Sequence, residues 1–431
     1  MHYTQNEKIA QVGKDSLVIG IDVGSEKQFA RAFGPSQIEY TRKAFSFINS
    51  AEGFDQFLKW AQDIQLKKGL KKIIVGLEPT GHYWFNLADY LEEQGIEYVL
   101  VAPQHVKHTK ELDDNIQQKD DCKDPKVIAK LVFDGRYFYA YRPKGIYAEL
   151  RVGFTRRCEI MEHLIETKNR ISRWFNIYFP EYLRVYRKVD ASTGMKILRQ
   201  APLPKDIVGL GVDGVNQIWR DAKQRGAGKK RAMTLVTAAQ SSIGSKQADQ
   251  AARMDLWQLL DEYDLVEKQL QEINDLLLDL LASIPDAQRM LAIQGVGMVT
   301  VAGFLAEVGD VRRFTDPKQI VKYAGMAVIK FNDSGKHKGK GKLSRRGRKR
   351  LRTILVQAAM SLVKSNPDFQ QIHQYFTTRE CNPLKKIQSI CAIANKLIHV
   401  FYGMITHDQP YDGEKMLRDI HRPMMAAAKA A

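Results

Sequence analysis

Four carboxylates in the first third of the chain have the types and spacing to hold divalent cations. Asp22 closes an apolar run in Gly20-Ile-Asp-Val-Gly24, and Glu78 closes a second in Gly76-Leu-Glu-Pro-Thr-Gly81. An acid at the carboxyl end of a buried strand is costly unless it is solvated, paired or bound to metal. Two such acids on neighbouring strands converge. Asp121 and Asp124 follow, three residues apart at the start of an expected helix, so both can face one side. Four carboxylates around one point repel without cations. Their oxygen-only chemistry suits two Mg²⁺ ions, which would activate an attacking oxygen and stabilise a leaving one. Taken alone, Asp121 and Asp124 also read as helix N-terminal acids favoured by the dipole; their strand-end companions carry the metal reading. Asp120 competes with Asp121 for the third position, and the three-residue step to Asp124 selects Asp121.

A second chemistry lies near the other end. Residues 336–352 contain no acid. A solvated loop ordinarily mixes signs, so Lys336, Lys338, Lys340, Lys342, Arg345, Arg346, Arg348 and Arg352 read as a phosphate-binding element, with Gly339 and Gly341 letting it order on contact. Gly295-Val-Gly297, ahead of a helix, can present backbone N–H groups to a phosphate or serve as a plain helix-entry turn. The whole chain agrees with a polyanionic partner: 431 residues carry a formal net charge of +17. No apolar run approaches the roughly 20 residues of a spanning helix, and residues 1–15 lack a signal-peptide core. Nucleic acid is therefore the expected partner rather than a membrane. Cys122, Cys158, Cys381 and Cys391 form no close pair, which fits ordinary thiols in a reducing cytoplasm.

These residues need a scaffold. Residues 17–22, 73–78 and 96–102 read as buried strands, and 28–33 with 44–48 as an antiparallel meander. Residues 54–64, 83–93 and 126–133 read as helices. Buried strands joined by crossover helices predict a partly parallel sheet, and the order of elements is that of an RNase H-like α/β domain. From about residue 148 the pattern turns helical. Leu150, Phe154, Met161, Leu164, Ile171, Phe175 and Tyr178 fall near a heptad seam that Pro180 ends. Leu256, Leu259, Tyr263, Val266, Leu270, Ile273, Leu277, Leu280 and Ile284 alternate steps of three and four. That is the signature of a coiled coil, or of a hairpin with the earlier helix, rather than of a lone packed helix. Residues 181–245 give weak helical signals and a loop at 224–231. Helices are expected at 301–308, 351–364 and 387–404, with a tail after Asp408. The expected domains are a catalytic α/β domain (1–145), a helical coiled-coil region (146–288, with an insertion at about 181–245), a mostly helical basic domain (289–410) and a tail (411–431).

The segments Gly20-Ile-Asp-Val-Gly24, Gly76-Leu-Glu-Pro-Thr-Gly-His-Tyr-Trp84 and Lys119-Asp-Asp-Cys-Lys-Asp124 resemble the N-terminal DEDD domain of a bacterial insertion-sequence transposase family, the IS-one-ten group. Gly295-Val-Gly297, Gly325, Ser334-Gly335 and residues 347–352 resemble that family's C-terminal transposase domain. The resemblance covers roughly residues 17–135 and 290–365. It implies a RuvC-like first domain and Mg²⁺-dependent DNA strand cleavage and exchange. It further implies that Asp22, Glu78, Asp121 and Asp124 hold metal and that Ser334 attacks a DNA phosphate to form a phosphoserine link. Double-stranded donor and target DNA, a structured bridge RNA as guide, and sites shared between subunits of a homodimer or homotetramer belong to the same implication. From composition alone Asn-Asp-Ser-Gly is a turn, and Ser344 is a rival hydroxyl. Asp120 stands where the family usually has a small hydroxyl residue, Pro125 where it has a small one, and Gln294 where it has proline. A junction-resolving nuclease that uses water, and a non-catalytic nucleic-acid binder, are the alternatives.

Overall fold

The computed structural model describes residues 4–79, 81–113, 123–224, 228–329, 332–333, 336–337 and 341–421. It divides into two compact units, residues 1–142 and 143–431.

The first unit is a six-stranded sheet in the order β3-β2-β1-β4-β5-β6. Its strands are β1 (Ser16–Val23), β2 (Lys27–Phe33), β3 (Phe45–Ile48), β4 (Lys72–Leu77), β5 (Glu97–Val101) and β6 (Tyr137–Phe138). Strands β1, β4 and β5 run parallel, and β2, β3 and β6 are antiparallel to their neighbours. The parallel strands are buried end to end, which is why they appear in the sequence as continuous apolar runs. Helices α2 (Ala51–Lys67) and α3 (Trp84–Glu93) enclose one apolar cluster with Phe54, Phe57, Leu87 and Leu91. On the other face, α5 (Lys123–Phe133) packs Val127, Ile128, Leu131 and Val132 against Val18, Ile74 and Val99. Two further helices, α1 (Gln5–Val12) and α4 (Pro103–Asp113), extend the expected set. The first carries a complete capping box, Thr4 with Glu7.

The second unit is built on a long helical hairpin. Helix α6 (Ile146–Tyr178) runs antiparallel to α11 (Asp249–Ala282). Arg157 donates to Asn274 at one level, Thr167 to Glu262 at the next, and Trp174 to the Ala252 carbonyl at the far end. The heptad seam is thus filled within the chain. Leu256, Leu259, Val266 and Leu277 are buried and lie in apolar clusters with residues of α6. Between the two arms, α7 (Tyr182–Tyr186), α8 (Ser192–Gln200), α9 (Pro204–Asp221) and α10 (Lys229–Gln240) close over the hairpin end around Trp174, Phe175, Tyr182 and Trp219. Residues 229–231, expected in a loop, form the first turn of α10.

A larger core follows, made by α12 (Pro285–Leu291), α13 (Met298–Val308), α14 (Pro317–Tyr323), α15 (Lys349–Ser365), α16 (Pro367–Thr378) and α17 (Lys386–Thr406). Helix α17 is long and apolar enough to cross a membrane by length and composition. Its Ile393, Ala394, Leu397, Ile398 and Phe401 nevertheless lie in this core. A short ribbon, β7 (Val328–Ile329), β8 (Asn332–Asp333), β9 (Lys336–His337) and β10 (Lys342–Leu343), precedes α15. The segment expected as a tail carries one more helix, α18 (Gly413–His421), whose Met416 is buried.

Candidate metal and nucleic-acid sites

Two glycines set the geometry of the acids. Gly20 and Gly76 are paired across β1 and β4, and each lies two residues before an acid, on the same strand face as that acid by the period of a strand. Continuing the register one step beyond the Ile21–Leu77 pair sets Asp22 beside Glu78. The glycine pair makes a flat place on the sheet, and α5 lies in it. A Cβ on Gly20 would strike the Pro125 carbonyl oxygen and come within 2.8 Å of the Ala129 nitrogen. One on Gly76 would come within 2.7 Å of Val132 Cγ2. The first turn of α5, which includes Asp124, thereby packs close to β1. The carboxylates of Asp22, Glu78 and Asp124 are half-buried.

Asp124 is ion-paired with Lys110 of α4. Its buried Oδ1 has that ammonium beside it but makes no hydrogen bond among the described residues. Half-buried carboxylates of this kind have the oxygen-only donor chemistry that suits a hard divalent ion, which at Asp124 would take the place of the Lys110 ammonium. The described acids do not complete such a centre: among the described residues no three His, Cys, Asp or Glu side chains form a metal-binding group. Asp121 and its rival Asp120 lie outside the described residues.

The basic element is divided by the fold. Lys342, Arg345 and Arg346 are exposed. Arg348 instead pairs with the buried Glu307 of α13 at 3.2 Å and lies over the Tyr323 ring. Arg352 donates to the Ala324 carbonyl at 2.9 Å. These two hold the turn in which Gly325 and Gly347 meet. A Cβ on Gly347 would come within 2.9 Å of the Gly325 Cα, which explains two glycines that stand apart in sequence. Lys349 is exposed in the first turn of α15, a turn with no acid. Cations are unfavourable at a helix N-terminus, so this turn is a sequence signal for an anionic ligand.

The side chains of Lys336 and its neighbours, and all of Ser334, Gly335, Lys338, Gly339 and Lys340, are outside the description. The strands flanking residues 334–335 pair with Asp333 opposite Lys336. Ser344, the rival hydroxyl, accepts from the Arg346 N–H at 3.3 Å in a local turn. Gly295 (φ +91°) and the exposed N-cap Gly297 join α12 to α13. The Asn366 amide holds that connection through the Gln294 carbonyl at 3.0 Å.

Comparison with known proteins matches two regions of the chain to transposase models. Residues 19–180 match the model of the DEDD transposases, and residues 287–374 match that of the transposase IS116/IS110/IS902 family. A probable family 20 transposase of Pseudomonas aeruginosa is 23% identical over 363 residues, spanning 82% of this chain and 90% of that protein. A transposase for insertion sequence element IS1328 of Yersinia enterocolitica is 28% identical over 35% of this chain and 45% of its own length. A pilin gene-inverting protein of Moraxella bovis is 29% identical over 29% of this chain and 38% of its own length. The matched regions and relatives mark a transposase, an enzyme of DNA recombination. The chain belongs to the IS116/IS110/IS902 transposase family of bacterial insertion sequences.

Proposed function

We propose that this transposase cuts and rejoins double-stranded donor and target DNA with Mg²⁺ held by Asp22, Glu78, Asp121 and Asp124 and with Ser334 as nucleophile. The observation that supports the reading is the Gly20–Gly76 pair, which lets α5, the helix that carries Asp124, pack closely on the two strands that lead to Asp22 and Glu78. Residues 1–145 then form a RuvC-like catalytic domain, residues 146–288 a helical coiled-coil region and residues 289–410 the serine domain. When bound, the metal would lower the charge on the scissile phosphate and on the leaving oxygen. The carboxylates orient that charge, and exposed Lys342, Arg345, Arg346 and Lys349 hold the neighbouring phosphates. The serine Oγ–P bond forms as one P–O bond to the sugar breaks. The serine proton passes to a base, and the departing sugar oxygen takes one up. A sugar hydroxyl of the exchanged strand then attacks phosphorus and frees the serine, so no external energy source is needed.

A structured guide RNA and a homodimer or homotetramer, acting in the cytoplasm, complete the proposal. The single-sign basic surface supports a nucleic-acid guide. Exposed apolar Val152 and Ile165 on α6 and Leu265 and Leu276 on α11 support subunit contact through the hairpin. The test is a denaturing gel of the chain incubated with Mg²⁺ and end-labelled DNA of its own element. A covalent protein–DNA band that disappears in Ser334→Ala supports the serine. Metal-dependent cutting without that band assigns water as nucleophile and makes the enzyme a junction-resolving type.

A further inference from the structure

The turn that follows Glu78 exposes aromatic rings that the fold does not need. Gly81, at φ +60°, reverses the chain, and His82, Tyr83, Trp84 and Phe85 follow in succession. Trp84 alone is core: it is buried with Leu87, Ala88 and Leu91 on the inner face of α3. His82 is exposed, Tyr83 is 37% exposed and Phe85 is 43% exposed. The His82 and Tyr83 rings lie 4.5 Å apart at 40°. Phe85 is backed by the Arg142 guanidinium, 5.7 Å from its centroid, and Arg142 is held in turn by Asp89 at 2.6 Å. Leaving this much aromatic surface in water forgoes the apolar burial that such rings give elsewhere in the same helix.

We propose that Tyr83, with His82 beside it, is a stacking platform for a nucleobase unpaired from the DNA strand at the cleavage step. Three observations converge. The His82 and Tyr83 rings adjoin, tilted 40° to each other, and both are exposed, which leaves the Tyr83 face accessible to the π-face of a base. They lie within five residues of Glu78, at most about 18 Å of extended chain, so a base on them belongs to a nucleotide near a phosphate held at the acids. Arg142, paired with Asp89, backs the Phe85 ring and holds it at the surface beside the pair. Stacking of this kind tolerates any base, so the platform would hold a strand open without selecting its sequence.

The inference rests on the DNA-cutting reading, and its test is a binding measurement that does not depend on cutting. The full chain is titrated into a single-stranded oligodeoxynucleotide carrying one fluorescent purine analogue, and into the same strand as a duplex. The wild-type chain should quench the analogue in the single strand as the base stacks. Tyr83→Ala should lose the quenching and bind the single strand about 5- to 100-fold more weakly, the loss of one stacked base, with duplex binding within about twofold. Tyr83→Phe and Tyr83→Trp should keep both, which separates stacking from a role in the fold. The platform is overturned if the wild-type chain does not quench, if Tyr83→Ala and His82→Ala bind and quench as the wild type does, or if single-strand and duplex binding fall together. Quenching that survives in a chain that cuts no DNA would sink the cleavage chemistry and leave the platform standing.

Discussion

At the scale of single residues, the strand glycines fix how closely α5, with the candidate ligand Asp124, packs on β1 and β4. Gly20→Ala puts a Cβ against backbone atoms of α5, which cannot yield as a flexible side chain would. The helix must move, and Asp124 moves with it. Overpacking of this kind costs about 1–3 kcal/mol. DNA cleavage should fall at least about tenfold while binding through the second unit persists. Gly209→Ala in α9 is the control: its Cβ meets nothing within 4 Å, and the change should be neutral or slightly stabilising by up to about 1 kcal/mol. Thermal melts and cleavage rates of both variants check the contrast. Equal cleavage by Gly20→Ala and wild type would mean that α5 does not position the site. Asp22 and Glu78 were legible in the sequence because each ends an apolar run. Their glycines were legible only as motif members, since pairing across two strands far apart in the chain has no local signature. Arg348 and Arg352 show the reverse: in a run without acids they look like phosphate ligands, and their partners Glu307 and Ala324 come from distant segments.

At the scale of elements, periodicity announced the parallel strands and the two long helices, because each carries an apolar run or stripe, though that of α6 is interrupted at Arg157 and Lys168. It could not announce α4, in which Val106 is the one core residue among those described, or β6, two residues held by pairing with β5. The heptad seam was legible but its partner was not, since α6 and a second copy of α11 offer the same apolar knobs. Within the hairpin, Glu262 of α11 is held below the ordinary carboxylate range. Burial opposes its charge, but the Thr167 hydroxyl, the Arg170 guanidinium and His163 outweigh it. Its unfolded value is the ordinary one, about 4.3. Its stabilising contribution is therefore fully present above that value and is lost as pH falls through it towards the lower folded one. Glu262→Gln should lower the Tm at neutral pH and narrow the difference between melts at neutral and acidic pH. An unchanged difference would show that the clamp is not pH-linked. The basic run makes its own prediction. Neutralising exposed Lys342, Arg345, Arg346 and Lys349 should flatten the log–log salt dependence of DNA binding by roughly 0.7–0.9 per lost phosphate contact. An unchanged slope would place that surface in solvent. Arg348→Gln, by contrast, should act mainly on stability, because it leaves the buried Glu307 with fewer partners.

At the scale of the whole molecule, the acids belong to one compact unit and the serine domain to the other, and the hairpin begins just after the boundary. A division of this kind allows the acids of one subunit to work with the serine of another. Asp22→Asn and Ser334→Ala chains should each be inactive alone. Co-assembled in mixed oligomers, some sites would combine an intact acid set with an intact serine, and cleavage should return in part. If each site drew on one chain only, every site in the mixture would lack a component, and no mixing ratio would restore cutting. A chain carrying both substitutions must stay silent when assembled with itself. Mixed assembly is verified by differently tagged chains captured together before the assay. Recovery that rises and then falls with the mixing ratio supports a shared site. Silence in verified mixed oligomers rejects the sharing while leaving the roles of Asp22 and Ser334 intact, because each single substitution has already been measured alone.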